Sequence, residues 1–340
     1  DGSKYFQAAL YTGSTSAQDI TFSGNSDLAP DWLWFKARSG ASNHFLFDKV
    51  RGVNKGILSD ATTVETTYTN SLTAFGTDGF SLGDGGSSND INGVDGTTYV
   101  AWGWAAGGTS GSTNEDGSVD STVTANTTAG FSICKLNPGG NSNITFGHGL
   151  GTAPRLVIVK DLEDVTNWQV LHLDQGVGNK LFLNSTAAAA SDANMWQNTA
   201  PTSTVVSMGT AQTTNEQFIA YCFAEVEGYS KFSSYIGNGN VDGPYGYTGF
   251  KPAFIIFKNI SASSQDWEMF DNKRDGFNDA NRRLYPNTND AEPAASDRVR
   301  LTSNGFKIVT SGGTHVNGSG NTIIYMAFAE HPFGGDGVAP

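Results

Sequence analysis

Short apolar runs, bounded by proline, glycine and polar residues, dominate the hydrophobic pattern of this 340-residue chain. The run 32–35 is typical, and a run of this length predicts either a strand buried on both faces or a strand with one wide aromatic face. Segment 101–104 alternates small and aromatic residues, so its two tryptophans should share one face of a strand. Helical periodicity is weak, and the best helix candidate is the alanine-rich segment 185–196. The pattern predicts an all-β protein.

Three segments share a motif of a proline, an apolar run, and a lysine six residues after the proline. They span 29–36, 153–160 and 251–258. A second shared segment, rich in aromatic and small residues, occurs later in each repeat, at 99–105, 218–224 and 323–329. An acid or a histidine also follows each lysine after twelve or thirteen residues, at Asp48, His172 and Asp271. We expect ion pairs between these groups and Lys36, Lys160 and Lys258, with a structural role.

Each repeat is about 100 residues long, which suits a β-sandwich of about seven short strands with its own core. The predicted organisation is therefore three tandem β-sandwich repeats, at 1–108, 118–227 and 228–333. A Gly/Ser-rich linker occupies 109–117, and a C-terminal tail occupies 334–340. The composition of the linker predicts a flexible tether. Repeats two and three follow each other with almost no linker, so they should pack together.

Composition and charge restrict the partners. Charged residues are only 16% of the chain and glycines number 42, which fits a polar protein rich in turns. The 20 Lys and Arg against 33 Asp and Glu give a net charge of -13, which would repel nucleic acid and anionic membranes. No apolar run approaches the roughly 18 residues that span a bilayer. We expect neither a nucleic-acid nor a membrane partner.

Several motifs together resemble a known repeat. They are 11–13, 32–36, 47–52, 78–83 and 99–102, with 220–232 and 326–333 later in the chain. They resemble the tandem β-sandwich repeat of marine bacteriophage virion proteins, which are often tail-fibre-like. The resemblance implies a structural or host-contact role in a virion, thus an extracellular location, with other virion proteins and host surface polysaccharide as partners. A looser resemblance to jelly-roll and concanavalin-type lectin folds is fold analogy alone. Homo-oligomerisation stays open, because no coiled-coil heptad indicates it.

Motifs of catalysis are missing from the sequence. It contains no GxSxG, HExxH or P-loop pattern, so we expect no enzymatic activity. Glu163 with Asp164, or Glu225 with Glu227, would supply the residue types of a glycosidase, but structural roles are favoured. The alternatives to a virion protein are a secreted or cell-surface carbohydrate-binding adhesin and, ranked lower, a glycan hydrolase.

Candidates for metal binding and thiol chemistry are few, and no other cofactor is expected. Asp84, Asp90 and Asp95 lie among glycines and offer the oxygen ligands that Ca²⁺ uses, although their spacing does not fit an EF-hand. A solvated acidic turn is the alternative. Cys134 and Cys222 form no CxxC pair, and two buried thiols or one disulfide both fit.

Three aromatic residues outside the repeated strand motifs are the candidates for glycan contact. They are Trp196, Tyr245 and Tyr247. An aromatic ring offers an apolar face on which the C–H edges of a sugar can stack.

Overall fold

Strands carry nearly all the regular structure of the chain. The computed structural model describes residues 1–85, 91–209, 216–275, 279–294, 296 and 298–330. Within these ranges, the helical segments are the short helix α1 (Thr314–Asn317) and two 3₁₀ helices, Gly2–Lys4 and Leu173–Gln175. The prediction of an all-β protein is confirmed. The helix predicted within 185–196 is wrong, because that segment contains a short strand instead.

The strands divide along the chain into three sets. The first set is β1 (Phe6–Thr12), β2 (Gln18–Ile20), β3 (Trp32–Ala37), β4 (Phe45–Asp48), β5 (Lys55–Leu58), β6 (Thr66–Thr67), β7 (Leu72–Phe75), β8 (Phe80–Leu82) and β9 (Thr98–Trp104). The second set is β10 (Ser112–Asn114), β11 (Ser121–Asn126), β12 (Phe131–Leu136), β13 (Ile144–Gly147), β14 (Leu156–Asp161), β15 (Gln169–His172), β16 (Asn179–Lys180), β17 (Ala190–Ser191), β18 (Val205–Met208) and β19 (Phe218–Phe223). The third set is β20 (Ser230–Ile236), β21 (Tyr245–Tyr247), β22 (Phe254–Asn259), β23 (Glu268–Asp271), β24 (Asp279–Ala280), β25 (Val299–Thr302), β26 (Gly305–Ile308) and β27 (Thr322–Phe328).

Three large antiparallel sheets share one strand order. It is β1-β9-β3-β4 in the first, β12-β19-β14-β15 in the second and β20-β27-β22-β23 in the third. A smaller sheet packs on each, namely β2-β8-β7, β13-β18 and β21-β26-β25-β24. We call each large inner sheet with its small outer sheet a sheet pair, numbered 1 to 3. The lysine motif forms β3, β14 and β22, whereas the division into three sandwich repeats at the stated boundaries stays a prediction.

Both faces of the inner sheets are buried, which is the first of the two alternatives for the apolar runs. In β3, Trp32 and Trp34 point away from the outer sheet, while Leu33 and Phe35 point towards it. The Phe35 ring lies 5.1 Å from that of Phe80 in β8. This alternation follows from the period of two along a strand.

The inner faces of the three sheet pairs meet in one central core. Fully buried aromatic rings contact each other across all three junctions. The contacts, as centroid distances, are Trp32–Tyr221 (4.5 Å), Trp104–Phe254 (5.4 Å) and Phe223–Phe328 (5.6 Å). We expected each repeat to bury a core of its own. Such a separate core exists only between the inner and outer sheets of each pair.

The linker predicted at 109–117 is not a flexible tether. It contains β10, which pairs with β11 and extends the second inner sheet. Just before it, the carboxylate of Asp31 accepts hydrogen bonds from the backbone N–H groups of Ala106 (2.6 Å) and Gly108 (2.9 Å). This Gly/Ser-rich segment thus forms an edge strand and its turns.

The three motif lysines bind neighbouring sheet pairs, so the predicted ion pairs with Asp48, His172 and Asp271 are wrong. Each ammonium group is buried and donates a hydrogen bond to a backbone carbonyl of another sheet pair. These bonds are Lys36–Asn289 (3.4 Å), Lys160–Thr62 (3.4 Å) and Lys258–Ser185 (3.3 Å). They connect pair 1 to pair 3, pair 2 to pair 1, and pair 3 to pair 2, so they close a ring.

Backbone hydrogen bonds close the same ring. They are Glu65 N–H to Leu162 O (2.8 Å), Ala189 N–H to Ile260 O (3.1 Å) and Glu292 N–H to Arg38 O (2.8 Å). Each acceptor lies just after the motif lysine of its own pair. The lysines therefore occupy equivalent junctions, where they satisfy carbonyl groups that burial would otherwise leave without a donor.

Burial lowers the pKa of each of the three lysines to about 8. In the unfolded chain a lysine has a pKa near 10.5. Between these values the unfolded chain binds a proton that the folded chain has released, so the free energy of unfolding rises with pH. This stabilisation is lost as the pH falls from about 10.5 to about 8, and below about 8 both states carry the proton and the dependence ends.

We expect the substitution Lys160→Met to flatten this pH dependence. Each such lysine contributes a slope of up to about 1.4 kcal/mol per pH unit between its two pKa values. Urea titrations of both proteins from pH 7.5 to 9.5 measure the difference. Lys251→Met, which removes an exposed lysine, should leave the slope unchanged. Equal slopes in wild type and Lys160→Met would contradict the assignment.

A second buried network holds charged residues in sheet pairs 1 and 3. In pair 1, Arg51 pairs with the Asp48 carboxylate, contacts Glu65 at 3.3 Å and donates to the Leu46 carbonyl at 3.0 Å. The hydroxyl of Tyr221, from sheet pair 2, donates to Asp48 at 2.8 Å. Pair 3 repeats the arrangement with Asp271, Arg274, Glu292 and Met269, and its outside donor is the Trp102 indole.

Sheet pair 2 replaces the whole charged set with neutral groups. His172, Gln175 and Ala189 occupy the corresponding positions. Gln175 donates to the Val170 carbonyl at 2.9 Å, as Arg51 does to that of Leu46. Burial lowers the pKa of His172 to about 4, so its imidazole is neutral at pH 7. The charges are present or absent together because one unpaired buried charge is costly.

The substitution Arg51→Gln alone should lower the free energy of unfolding by about 3–5 kcal/mol, because Asp48 stays buried without its guanidinium partner. The triple variant Asp48→His, Arg51→Gln, Glu65→Ala copies sheet pair 2 and should cost less than the single change. Urea denaturation at pH 7 compares them. A triple variant as unstable as the sum of its separate changes would show that the three groups are not coupled.

Cys134 and Cys222 lie on the neighbouring strands β12 and β19, and both are buried and free. Of the two alternatives that the sequence left open, the structure has the free thiols. Burial raises the pKa of Cys222 well above its usual value, so this thiol stays protonated.

Candidate functional site

The three glycan-contact candidates lie in different environments. Trp196 is fully buried among the apolar residues between the sheets of pair 2, so its ring has no face open to a ligand. Tyr245 and Tyr247 both lie on β21 in the outer sheet of pair 3, and they are 46% and 64% exposed. They are the only exposed aromatic side chains among the described residues. The prediction is therefore wrong for Trp196, while the two tyrosines form one surface.

The backbone of β21 fixes both rings on the outer face. Gly246, between them, faces inward, and a Cβ atom there would lie 2.1 Å from the Phe306 ring. Only glycine lets the strand approach this ring so closely. Phe306 in turn packs against Phe257 at 5.1 Å in the inner sheet. The tyrosines thus lie over a packed aromatic layer.

The Tyr245 ring lies along the sheet and does not stand off it. Its hydroxyl crosses β26 above Gly305 and meets the Thr302 hydroxyl at 2.9 Å and the side-chain oxygen of Asn304. A ring held flat at both ends exposes one face to solvent. Such a face is suited to stacking on the apolar edge of a sugar.

Two cations extend the tyrosine surface across the sheet. Lys307 of β26 lies directly opposite Tyr245, and Arg300 of β25 lies directly opposite Lys307. Neighbouring strands are about 4.8 Å apart, and the alternation of side chains places all three on the outer face. We call Tyr245, Tyr247, Lys307 and Arg300 the tyrosine–cation face.

The exposed acid Asp242 contacts this face. The carboxylate of Asp242 accepts a hydrogen bond from the Lys307 ammonium at 2.6 Å, and this bond lowers the pKa of Asp242. The ammonium also donates to the Gly243 carbonyl at 2.6 Å. Lys307 is thus held in place by the backbone as well as by the acid.

The other outer sheets have different residues at the equivalent positions. Along β8, β18 and β26, side chains alternate between the buried inner face and the outer face. The residue directly after a buried apolar residue therefore points outward. The outward pairs that match Tyr245–Lys307 are Asp19–Ser81 in sheet pair 1 and Thr145–Ser207 in sheet pair 2. The fold therefore does not require a tyrosine or a cation there.

The sequence contained a signal for the cations that our prediction missed. Residues 299–302 and 305–308 alternate apolar and polar side chains around the turn signal Asn304-Gly305. That pattern predicts a hairpin with Arg300 and Lys307 on its polar face. Their position beside Tyr245 follows from the pairing of β21 with β26, which is not local in sequence.

The Ca²⁺ candidates do not form a site in the described residues. Asp84 and Asp95 are exposed, and Asp90 lies outside the described residues. The neighbouring Asn92 is buried and uses its amide to bond Ser14, Gln18 and the Gly83 carbonyl. Across the described ranges, no three His, Cys, Asp or Glu side chains come close enough together to hold a metal ion.

One carboxylate of each pair considered for glycosidase chemistry takes part in structural contacts. Glu163 accepts a hydrogen bond from the Gln217 N–H at 3.0 Å. Glu225 pairs with Lys231 at 2.7 Å and accepts from the Phe232 N–H at 3.2 Å, at the junction of sheet pairs 2 and 3.

These features define an all-β protein of three interlocked sheet pairs with one exposed tyrosine–cation face. The chain belongs to the family described as a domain of unknown function, DUF7483, whose model matches residues 1–332. No curated protein and no solved structure matches the chain. In the part of the chain that the structure describes, no helix is long and apolar enough to cross a membrane.

Truncation should separate the buried tryptophan from the exposed tyrosine. We expect Trp196→Ala to lower the free energy of unfolding by about 3–5 kcal/mol, because it leaves a cavity in a packed core. Tyr247→Ala should change it by no more than about 0.5 kcal/mol. Urea denaturation midpoints measure both. A comparable loss for Tyr247→Ala would show that this ring serves packing.

Proposed function

We propose that the chain is a non-enzymatic structural protein of a virion, of the tail-fibre kind, that contacts host surface glycans through the tyrosine–cation face. The observation that carries the glycan contact is the pair of exposed rings, Tyr245 and Tyr247, on one outward strand face. The virion role rests on the resemblance of the repeated motifs to those of bacteriophage virion proteins.

The setting of the two tyrosines supports binding. A large aromatic side chain on the surface exposes apolar area to water. Where the fold does not require such a residue, its exposure indicates a binding surface. Sheet pairs 1 and 2 fill the Tyr245 position with Asp19 and Thr145. The ring is also held by its hydroxyl, so it loses little conformational freedom when a ligand binds.

The interlocked sheets support a structural role. Every sheet pair contributes aromatic rings to the central core and hydrogen bonds to both neighbours. Such a scaffold holds a binding face in a fixed orientation, which a particle exposed to the medium requires.

We expect Tyr245→Ala and Tyr247→Ala each to weaken glycan binding roughly 2- to 10-fold, which is the contribution of one aromatic contact. A glycan array followed by titration calorimetry with the best ligand measures the loss. Val165→Ala is the matched control, because Val165 is an exposed apolar residue of sheet pair 2.

A wild-type protein that binds no glycan on the array, or tyrosine variants that bind as tightly as wild type, would refute the glycan contact. Mass spectrometry of purified particles tests the virion role separately. A chain found on cells or free in the medium, and absent from particles, would favour a carbohydrate-binding adhesin instead.

A further inference from the structure

We propose that Glu268 is a proton-operated switch in sheet pair 3. With its carboxyl group protonated it keeps the outer sheet packed on the inner sheet, and once it has released that proton to solvent its charge loosens this packing. The inference goes beyond the proposed function and does not depend on it. The outer sheet concerned is the one that carries Tyr245 and Tyr247.

Glu268 lies between the two sheets, at the first position of β23. It is directly opposite Phe257 of β22, and residues directly opposite each other on paired strands share one face. The Phe257 ring packs on Phe306 of the outer sheet at 5.1 Å. The Glu268 side chain is fully buried. An ionisable group thus occupies the packed space that joins the two sheets.

The carboxylate of Glu268 has ion-pair partners but no hydrogen bond. Its Oε1 atom lies 3.4 Å from Nη1 of Arg298 and 3.7 Å from Nε of Arg283. Neither of its oxygens accepts a hydrogen bond from the described residues, and Nε and Nη1 of Arg298 donate none to them. A buried charge is stable only when such bonds are made. The charged form therefore favours a movement that brings Arg298 or water to the carboxylate.

Arg298 connects this movement to the outer sheet. It directly precedes β25, and its carbonyl accepts a hydrogen bond from the Val309 N–H, just after β26, at 2.9 Å. Arg283 belongs to the inner side, because the next residue, Leu284, exchanges backbone hydrogen bonds with Met269 of β23 at 2.9 and 3.1 Å. The two guanidinium groups thus reach Glu268 from opposite layers of the sheet pair.

The equivalent position is neutral in the other two sheet pairs. It holds Phe45 in pair 1 and Gln169 in pair 2, as the strand registers show. Phe45 packs its ring on that of Tyr68 at 5.3 Å. The fold thus accepts an apolar or a neutral polar side chain there, so the cost of burying an acid is not one that the fold requires. Such departures from good packing occur at functional positions.

Burial and the neighbouring charges set the pH range of the switch. Burial, the largest effect, raises the pKa of Glu268 from 4.5 to about 7, although Arg298 and Arg283 lower it. Asp266 raises it further. Between these pKa values the folded chain holds a proton that the unfolded chain has released. The stabilisation from Glu268 is therefore fully present below pH 4.5 and is lost as the pH rises through about 7.

Urea denaturation of wild type and Glu268→Gln between pH 4.5 and 8 tests the switch, because the amide copies the protonated carboxyl group. The unfolding equilibrium constant of wild type, divided by that of the variant, should rise by up to about 10-fold per pH unit until about pH 7 and stay constant above it. The ratio cancels the separate contributions of the other titratable groups of this region, which are Tyr235, Tyr285, His315 and Lys258. Glu227→Gln, which neutralises an exposed acid, is the matched control and should give a flat ratio.

Hydrogen–deuterium exchange locates the loosening. At pH 8 the amides of β25 should exchange faster in wild type than in Glu268→Gln, by a larger factor than those of β1 in sheet pair 1. At pH 5 the two proteins should exchange alike. If the variant does not fold, wild type alone provides the test, because the exchange rate of β25 relative to β1 should rise between pH 5 and pH 8.

Two results would overturn the proposal. Equal pH dependence of unfolding in wild type and Glu268→Gln would show that Glu268 does not bind a proton in this range. An exchange rate of β25 relative to β1 that is the same at pH 5 and pH 8 would show that its charge does not act on the attachment of the outer sheet.

Discussion

Burial of both faces of three inner sheets is the constraint on which the rest of this structure depends. A strand such as β3 is apolar on both sides, so one covering layer cannot stabilise it. The outer sheet covers one side, and the two other inner sheets cover the second. Trp32 against Tyr221 and Trp104 against Phe254 are the contacts that complete this cover. Each sheet pair is therefore finished only by its two neighbours.

This closed packing buries polar backbone groups at the junctions between sheet pairs. The chain supplies hydrogen-bond partners at these junctions in two ways. Lysines such as Lys160 donate to carbonyls of the next sheet pair. Acid–arginine networks such as Asp48–Arg51 receive a further donor from outside their own pair. The second sheet pair shows that neutral groups also work there, provided that all the charges are removed together. The charges are thus one solution to a packing problem that the fold imposes.

The outer faces of the outer sheets are under no such constraint, because they contribute nothing to the central core. They accommodate Asp19, Thr145 or Tyr245 at the same position with the same backbone pairing. Binding chemistry can therefore differ between sheet pairs while the scaffold stays constant. This division between an invariant interior and a variable exterior is what allows one sheet pair to carry the tyrosine–cation face.

The sequence by itself determined the strands, the repeated motifs and the candidacy of Tyr245 and Tyr247, because alternation and turn signals act over a few residues. Its local patterns misplaced Trp196, which was selected because it lies outside the repeated strand motifs, and they gave Lys160 the wrong partner. The Lys160 ammonium donates to the carbonyls of Asp161 and Asp164 in its own sheet pair and to that of Thr62, which lies 98 residues away in another sheet pair. Only the tertiary structure decided such contacts, since they exist where separate sheets meet and leave no periodic trace in either segment.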